Sequence, residues 1–141
     1  MREIKFRAMR NNGKWVIGNY VHHLISYFDT IERHSIFLSK SENDNGGHWV
    51  EDIITKTIGK FTGLYDKNHK EIYEDDILKW SNGRLYVVKF LDGMFYASVE
   101  ECNDGILGGF PLHRLTEYED GKCEIVGNIF DNPELLKGFV K

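Results

Sequence analysis

Three dipeptides do most to limit what this chain can become. Asn12-Gly13, Asn82-Gly83 and Asp92-Gly93 each stand between runs of apolar and polar residues, and such a pair so flanked is the strongest short-range signal for a β-hairpin. Before the first, Ile4, Phe6 and Ala8 face one way and Glu3, Lys5 and Arg7 the other; after it, residues 15–21 supply the returning strand. A period of two puts successive side chains on opposite faces of a sheet. Residues 76–80, 85–91 and 94–101 repeat the pattern around the other two dipeptides. A chain punctuated in this way folds into short antiparallel strands.

The intervening stretches read less sharply. Residues 24–28 and 35–39 look like two further strands separated by a polar segment at 29–34, and 41–47 is a loop by composition. Residues 50–57 fit a short helix and a strand alike. Residues 66–70 form a polar turn, and 110–118 carry Pro111, which confines them to an edge. Residues 122–129 read as the last strand. Asp131-Asn132-Pro133-Glu134 then offers a cap, a proline at the first helical position and an acid in the first turn, which predicts a short terminal helix. Five short strands between residues 76 and 129 suit a small closed barrel, since closure removes exposed edges.

The stretch from Phe61 to Trp80 separates the irregular first part of the chain from the strand-rich second part. Phe61-Thr62-Gly63-Leu64, Asp66-Lys67-Asn68, Lys70-Glu71-Ile72-Tyr73-Glu74 and Asp76-Ile77 resemble the signature of the YopX family of phage and prophage proteins. Residues 1–8 resemble that family's opening and residues 124–136 its close, so the resemblance spans nearly the whole chain. The family pattern has glycine where this chain has His69 and Asp75. If those glycines take positive φ, His and Asp are among the few residues that tolerate the substitution. The resemblance implies an irregular α+β N-terminal part, an SH3-like β-barrel C-terminal part and no characterised activity. The expected fold is thus α+β, mostly β: an N-terminal α+β subdomain with a hairpin over residues 1–60, then an SH3-like barrel with a terminal helix over residues 61–141.

The chemistry-bearing residues form no recognisable catalytic set. Its 141 residues are enough to bury roughly 68% of the surface that the unfolded chain exposes. The net charge of −4 disfavours non-specific binding to duplex nucleic acid, which needs a concentrated basic face. Two cysteines, Cys102 and Cys123, are too few for a disulfide framework and lack metal-site spacing, which fits a reducing bacterial cytoplasm. The N-terminus alternates like a strand rather than a leader, and no apolar run is long enough to span a bilayer.

Adjacent strand residues point to opposite faces, so His22-His23 is not a metal pair, and no carboxylate follows at ligand spacing. Glu100, Glu101 and Asp104 oppose activation of Cys102 by His113. Glu74-Asp75-Asp76 lacks the spaced oxygens of a calcium loop. Gly46-Gly47 and Gly108-Gly109 do not open a helix after a strand, so no phosphate cradle is implied. No cofactor is expected. Trp80, Tyr86, Phe90, Phe95 and Tyr96 lie on the later strands, and Trp80, Tyr86 and Tyr96 are the candidate binding face. The reading is a non-enzymatic binding or assembly module with an unspecified protein partner and self-association left open. The rivals are a nucleic-acid-binding module using those aromatics, or an enzyme of unrecognised type.

Overall fold

The computed structural model describes residues 3–26, 30–38, 47–102, 105–107, 109–114 and 123–136. Nearly all of its regular structure is antiparallel sheet, in place of the α+β fold expected. The chain divides into two compact units, Met1–Phe61 and Thr62–Lys141.

The first unit holds β1 (Phe6–Met9), β2 (Trp15–Ser26), β3 (Thr30–Leu38), β4 (His48–Val50), a 3-10 turn at Thr55–Thr57 and the first residues of β5 (Gly59–Tyr65). Its strands lie in the order β4-β3-β2-β1-β5. The Asn12-Gly13 hairpin is present, with β1 antiparallel to β2 from Phe6↔Gly18 to Met9↔Trp15. The alternation of β1 turns Ala8 into a core with Ile36, Val50 and Ile53, against which Phe6, Val16, Tyr20, Leu38 and Ile58 pack.

One expectation needs correction in this unit. Residues 24–26 continue β2, and the polar residues from Thr30 onward belong to β3: the two strands pair without a break from Asn19↔Phe37 to Ser26↔Thr30. His22, His23, Leu24, Glu32 and Arg33 are all exposed, so both faces of this ribbon meet water and neither needs an apolar stripe. Polar composition therefore hid a strand. The segment at 50–57 makes no α-helix; Ile53 bridges Arg10, and Thr57 Oγ1 accepts from Met9 N (2.8 Å) while donating to the Ile54 carbonyl (2.6 Å).

The second unit holds the rest of β5, then β6 (Glu71–Tyr73), β7 (Asp76–Lys79), β8 (Leu85–Leu91), β9 (Met94–Ser98), β10 (Glu100–Cys102), β11 (Gly105–Leu107), β12 (Phe110–Pro111) and β13 (Glu124–Asn128). β5 neighbours β6, β10 pairs with β11, and a five-stranded sheet runs β12-β9-β8-β7-β13. Ile72, Leu78, Tyr86, Val88, Ala97, Leu112 and Cys123 form its core. Burial and the nearby Asp66 carboxylate push the Cys123 thiol above its usual range.

The sheet is open, not an SH3-like barrel, and β12 and β13 are its edges. Edges can be protected without closure, and both devices are visible. β12 is two residues long and contains Pro111, while the pairing of β13 shifts between Ile125 and Gly127. The expected C-terminal helix is a single 3-10 turn, Pro133–Leu136, with Leu135 N donating to the Asn132 carbonyl. Leu135 and Leu136 are only half-buried. The Asn132 side chain is committed elsewhere, accepting from Asn128 N, and it lies where a side chain on Gly127 would have to go.

Three turns share one hydrogen-bond pattern. Gly13, His69 and Gly83 N–H groups donate three residues back to Arg10, Asp66 and Trp80, whose own N–H groups donate to Lys14, Lys70 and Arg84. The third loop residue has φ of 83°, 61° and 87° respectively. This is the three-residue hairpin loop closed by a left-handed residue, and His69 fills the glycine position. Asp75 is likewise left-handed at φ 72°.

The two sites nevertheless respond differently. His69 is exposed, whereas Asp75 Oδ1 lies 3.3 Å from Lys89 Nζ. We expect His69→Gly to stabilise by about 0.5–1 kcal/mol, relief of left-handed strain outweighing the added unfolded-state entropy. Asp75→Gly gives up its ion pair and gains nothing net. Paired thermal melts check this, with only the first variant melting higher.

Candidate functional site

Signature residues that could pass for catalytic acids are tied into the backbone. Asp66 is buried; its Oδ1 accepts from Asn68 N (2.8 Å) and Lys70 N (2.9 Å), and its Oδ2 from Ile125 N (3.0 Å). Lys67 N adds a bond to the Cys123 carbonyl, so the turn is fastened to the start of β13 at two points. Asp76, also buried, accepts from Tyr73 N at 2.8 Å across the β6–β7 turn. Asn128 Oδ1 accepts from Phe130 N and Asp131 N, shaping the exit from β13. Thr62 Oγ1 donates to the Ile72 carbonyl at 2.7 Å. Such short polar side chains substitute for missing backbone partners where the chain reverses.

The candidate aromatics do not share one face. Tyr86 is 6% exposed and lies in the core, with the Trp80 ring at 6.5 Å and the Phe110 ring at 5.2 Å. Leu78 opposes Tyr86 on β7, which sets Trp80 on the same side two residues on. Tyr96 opposes Lys89 and points to the other face. Trp80 and Tyr86 are therefore packing partners, and Tyr96 stands apart from them.

An apolar surface exists nearby, at the tip of the β8–β9 hairpin. Phe90 opposes Phe95 and Leu91 opposes Met94 around the left-handed pair Asp92-Gly93. The Phe90 and Phe95 rings meet at 4.9 Å, and Phe90, Leu91 and Met94 are 44%, 41% and 40% exposed. Alternation puts Phe90 and Phe95 on one face and Leu91 and Met94 on the other, so both sides of the tip are apolar. Tip residues are ordinarily polar. The clue was in the sequence, as Phe-Leu-Asp-Gly-Met-Phe, but the packing role of aromatics masked it.

The first unit carries a polar cluster that local spacing could not reveal. His22 and His34 are directly opposed across β2 and β3, and Glu32 lies diagonally from His22 on the same face. The two imidazoles stack at 4.5 Å, His22 Nε2 is 3.2 Å from Glu32 Oε1, and Tyr20 Oη is 2.6 Å from His34 Nδ1. Burial and the Glu32 carboxylate raise the pKa of Tyr20, keeping its hydroxyl protonated. An open depression next to the ribbon is lined by Glu32, Arg33, His34, Glu51, Ile53 and Thr55. His23 is on the other face, its ring edge-on to Trp49 at 5.7 Å.

Comparison with known proteins supplies an origin. The family described as YopX protein matches residues 5–137. The SPbeta prophage-derived uncharacterized protein YopX of Bacillus subtilis (strain 168) is 26% identical over 131 residues, covering 92% of this chain and 81% of that one. The crystal structure of protein EF1440 from Enterococcus faecalis superimposes with a TM-score of 0.59 at 22% identity, over 97% of this chain and 100% of its own; that likeness is one of fold. Among the described residues, no helix is long and apolar enough to cross a membrane.

Proposed function

The chain belongs to the YopX family, and from that premise we propose that it is a prophage-encoded binding module that recruits a protein partner in the cytoplasm of the bacterial host, without catalysis. The apolar tip of the β8–β9 hairpin carries this reading. Phe90 on one face of the tip and Leu91 and Met94 on the other leave apolar side chains exposed on both sides of the hairpin, the kind of surface that marks protein contacts. Aromatic and methionine side chains are enriched at the core of such contacts, where they bury large apolar areas. The chemistry of the tip favours protein over nucleic acid: its polar residue is Asp92, and Lys89 is paired with Asp75. With a net charge of −4, the chain also has no excess of cations to neutralise phosphates. The buried carboxylates of the signature, occupied by backbone N–H groups, support a role without catalysis.

The test is a triple variant, Phe90→Ser, Leu91→Ser and Met94→Ser, expressed in cells that carry the prophage. These side chains are half exposed, so the melting temperature is expected to stay within a few degrees of the parent. The complex recovered with the parent is expected to be lost with the variant. A variant that folds and still recovers the same complex overturns the assignment. Self-association lost through the same substitutions would replace the host or phage partner with a second copy of the chain.

A further inference from the structure

We propose that His22, Glu32 and His34 form a binding site for one divalent transition ion of the zinc class. A ligand atom from each of the three lies within 4.8 Å of those from the other two. In a tetrahedral site with metal–ligand bonds near 2.0–2.1 Å, neighbouring ligand atoms are about 3.4 Å apart. His22 Nε2 and Glu32 Oε1 already stand at 3.2 Å, so one edge of the polyhedron is formed without an ion. The remaining edges close by side-chain rotation alone, because His22 and Glu32 are exposed and their backbones are held in register by β2–β3 pairing.

Two imidazoles and one carboxylate are a borderline donor set that suits zinc, cobalt or nickel over magnesium or calcium. Tyr20, bonded to His34 Nδ1, holds that ring as outer partners of metal-bound histidines do. The remaining coordination positions face solvent and would be filled by water. A bound ion joins β2 to β3 across the exposed ribbon, stiffening a segment with little apolar packing of its own. His22 and His23 lie on opposite faces and cannot share an ion; the partner of His22 is His34, brought across the hairpin from twelve residues further on.

The experiment titrates metal-free, full-length protein with Zn2+ by calorimetry, with His23→Ala as a control on the opposite face. One saturable ion per chain is expected, with a melting temperature that rises on saturation. His22→Ala, His34→Ala and Glu32→Gln should each weaken binding at least about tenfold, since even outer partners contribute tenfold or more. His23→Ala should leave it unchanged. Glu32→Gln keeps the shape of an exposed side chain, so it remains informative if a histidine variant proves unstable. The proposal is overturned if no saturable one-to-one binding occurs, or if binding is the same in the three variants as in the parent.

Discussion

Asp66→Ala is expected to lower the melting temperature by about 15–20 °C. The carboxylate accepts three backbone N–H groups, from Asn68, Lys70 and Ile125, in a site where it is only 4% exposed. Hydrogen bonds to a charged acceptor contribute about 1.5–3 kcal/mol each, and all three part-buried donors lose their partner at once. Allowing for non-additivity, the loss is about 4–6 kcal/mol, comparable to the whole stability of many domains. At this size each kcal/mol moves the midpoint by roughly 3–4 °C. Asp66→Asn separates geometry from charge. It retains an oxygen for Asn68 and Lys70 but can turn an amide donor toward Ile125 N, so its cost should be about half as large. Thermal melts of both variants check the order: parent, then Asn, then Ala.

Gly18→Ala should be the most damaging conservative change in the first unit. A Cβ on Gly18 would lie 2.3 Å from the Phe37 carbonyl oxygen and 2.9 Å from Ile36 Cγ2. Backbone cannot rotate away as a side-chain end can, so β2 and β3 must separate where their pairing begins at Asn19↔Phe37. Ile36 is fully buried, and any shift propagates into its contacts with Ala8 and Val50. Overpacking of this kind costs about 3 kcal/mol, which is about a 10 °C fall in midpoint. A variant melting within a degree or two of the parent would show that the strands do not approach so closely. Gly13 offers the contrast within the same unit: nothing lies near its Cβ position, and its need for glycine comes from a φ of 83°.

These cases show which parts of the fold could be read from residues alone. Turns were legible because their chemistry is local: Asn12-Gly13 and Asn82-Gly83 make the same three-residue loop, and His69 and Asp75 do take the left-handed conformation of the glycines they replace. Strand alternation likewise placed Ala8 inward. Sheet closure was not legible, since it depends on whether β12 and β13 meet, and both edges are protected by Pro111 and by an irregular register instead. The β2–β3 ribbon was hidden because water on both faces removes the apolar signal. Its His22–Glu32–His34 cluster was invisible for the same reason, and also because cross-strand neighbours carry no fixed sequence spacing. The stretches read at 41–46 and 115–118 lie outside the described residues.

The signature residues Asp66 and Asp76 shape turns, and on the function proposed above recognition is carried separately by the β8–β9 tip. The most direct test compares partner binding by Asp66→Asn and by the parent, both at a temperature where the variant is fully folded. The partner is the one recovered with the parent and lost with the triple serine variant. The account predicts equal affinity, because the Asp66 carboxylate is buried and occupied by backbone N–H groups. A fully folded Asp66→Asn protein that no longer binds would contradict it, and would place the signature in the working surface of the protein.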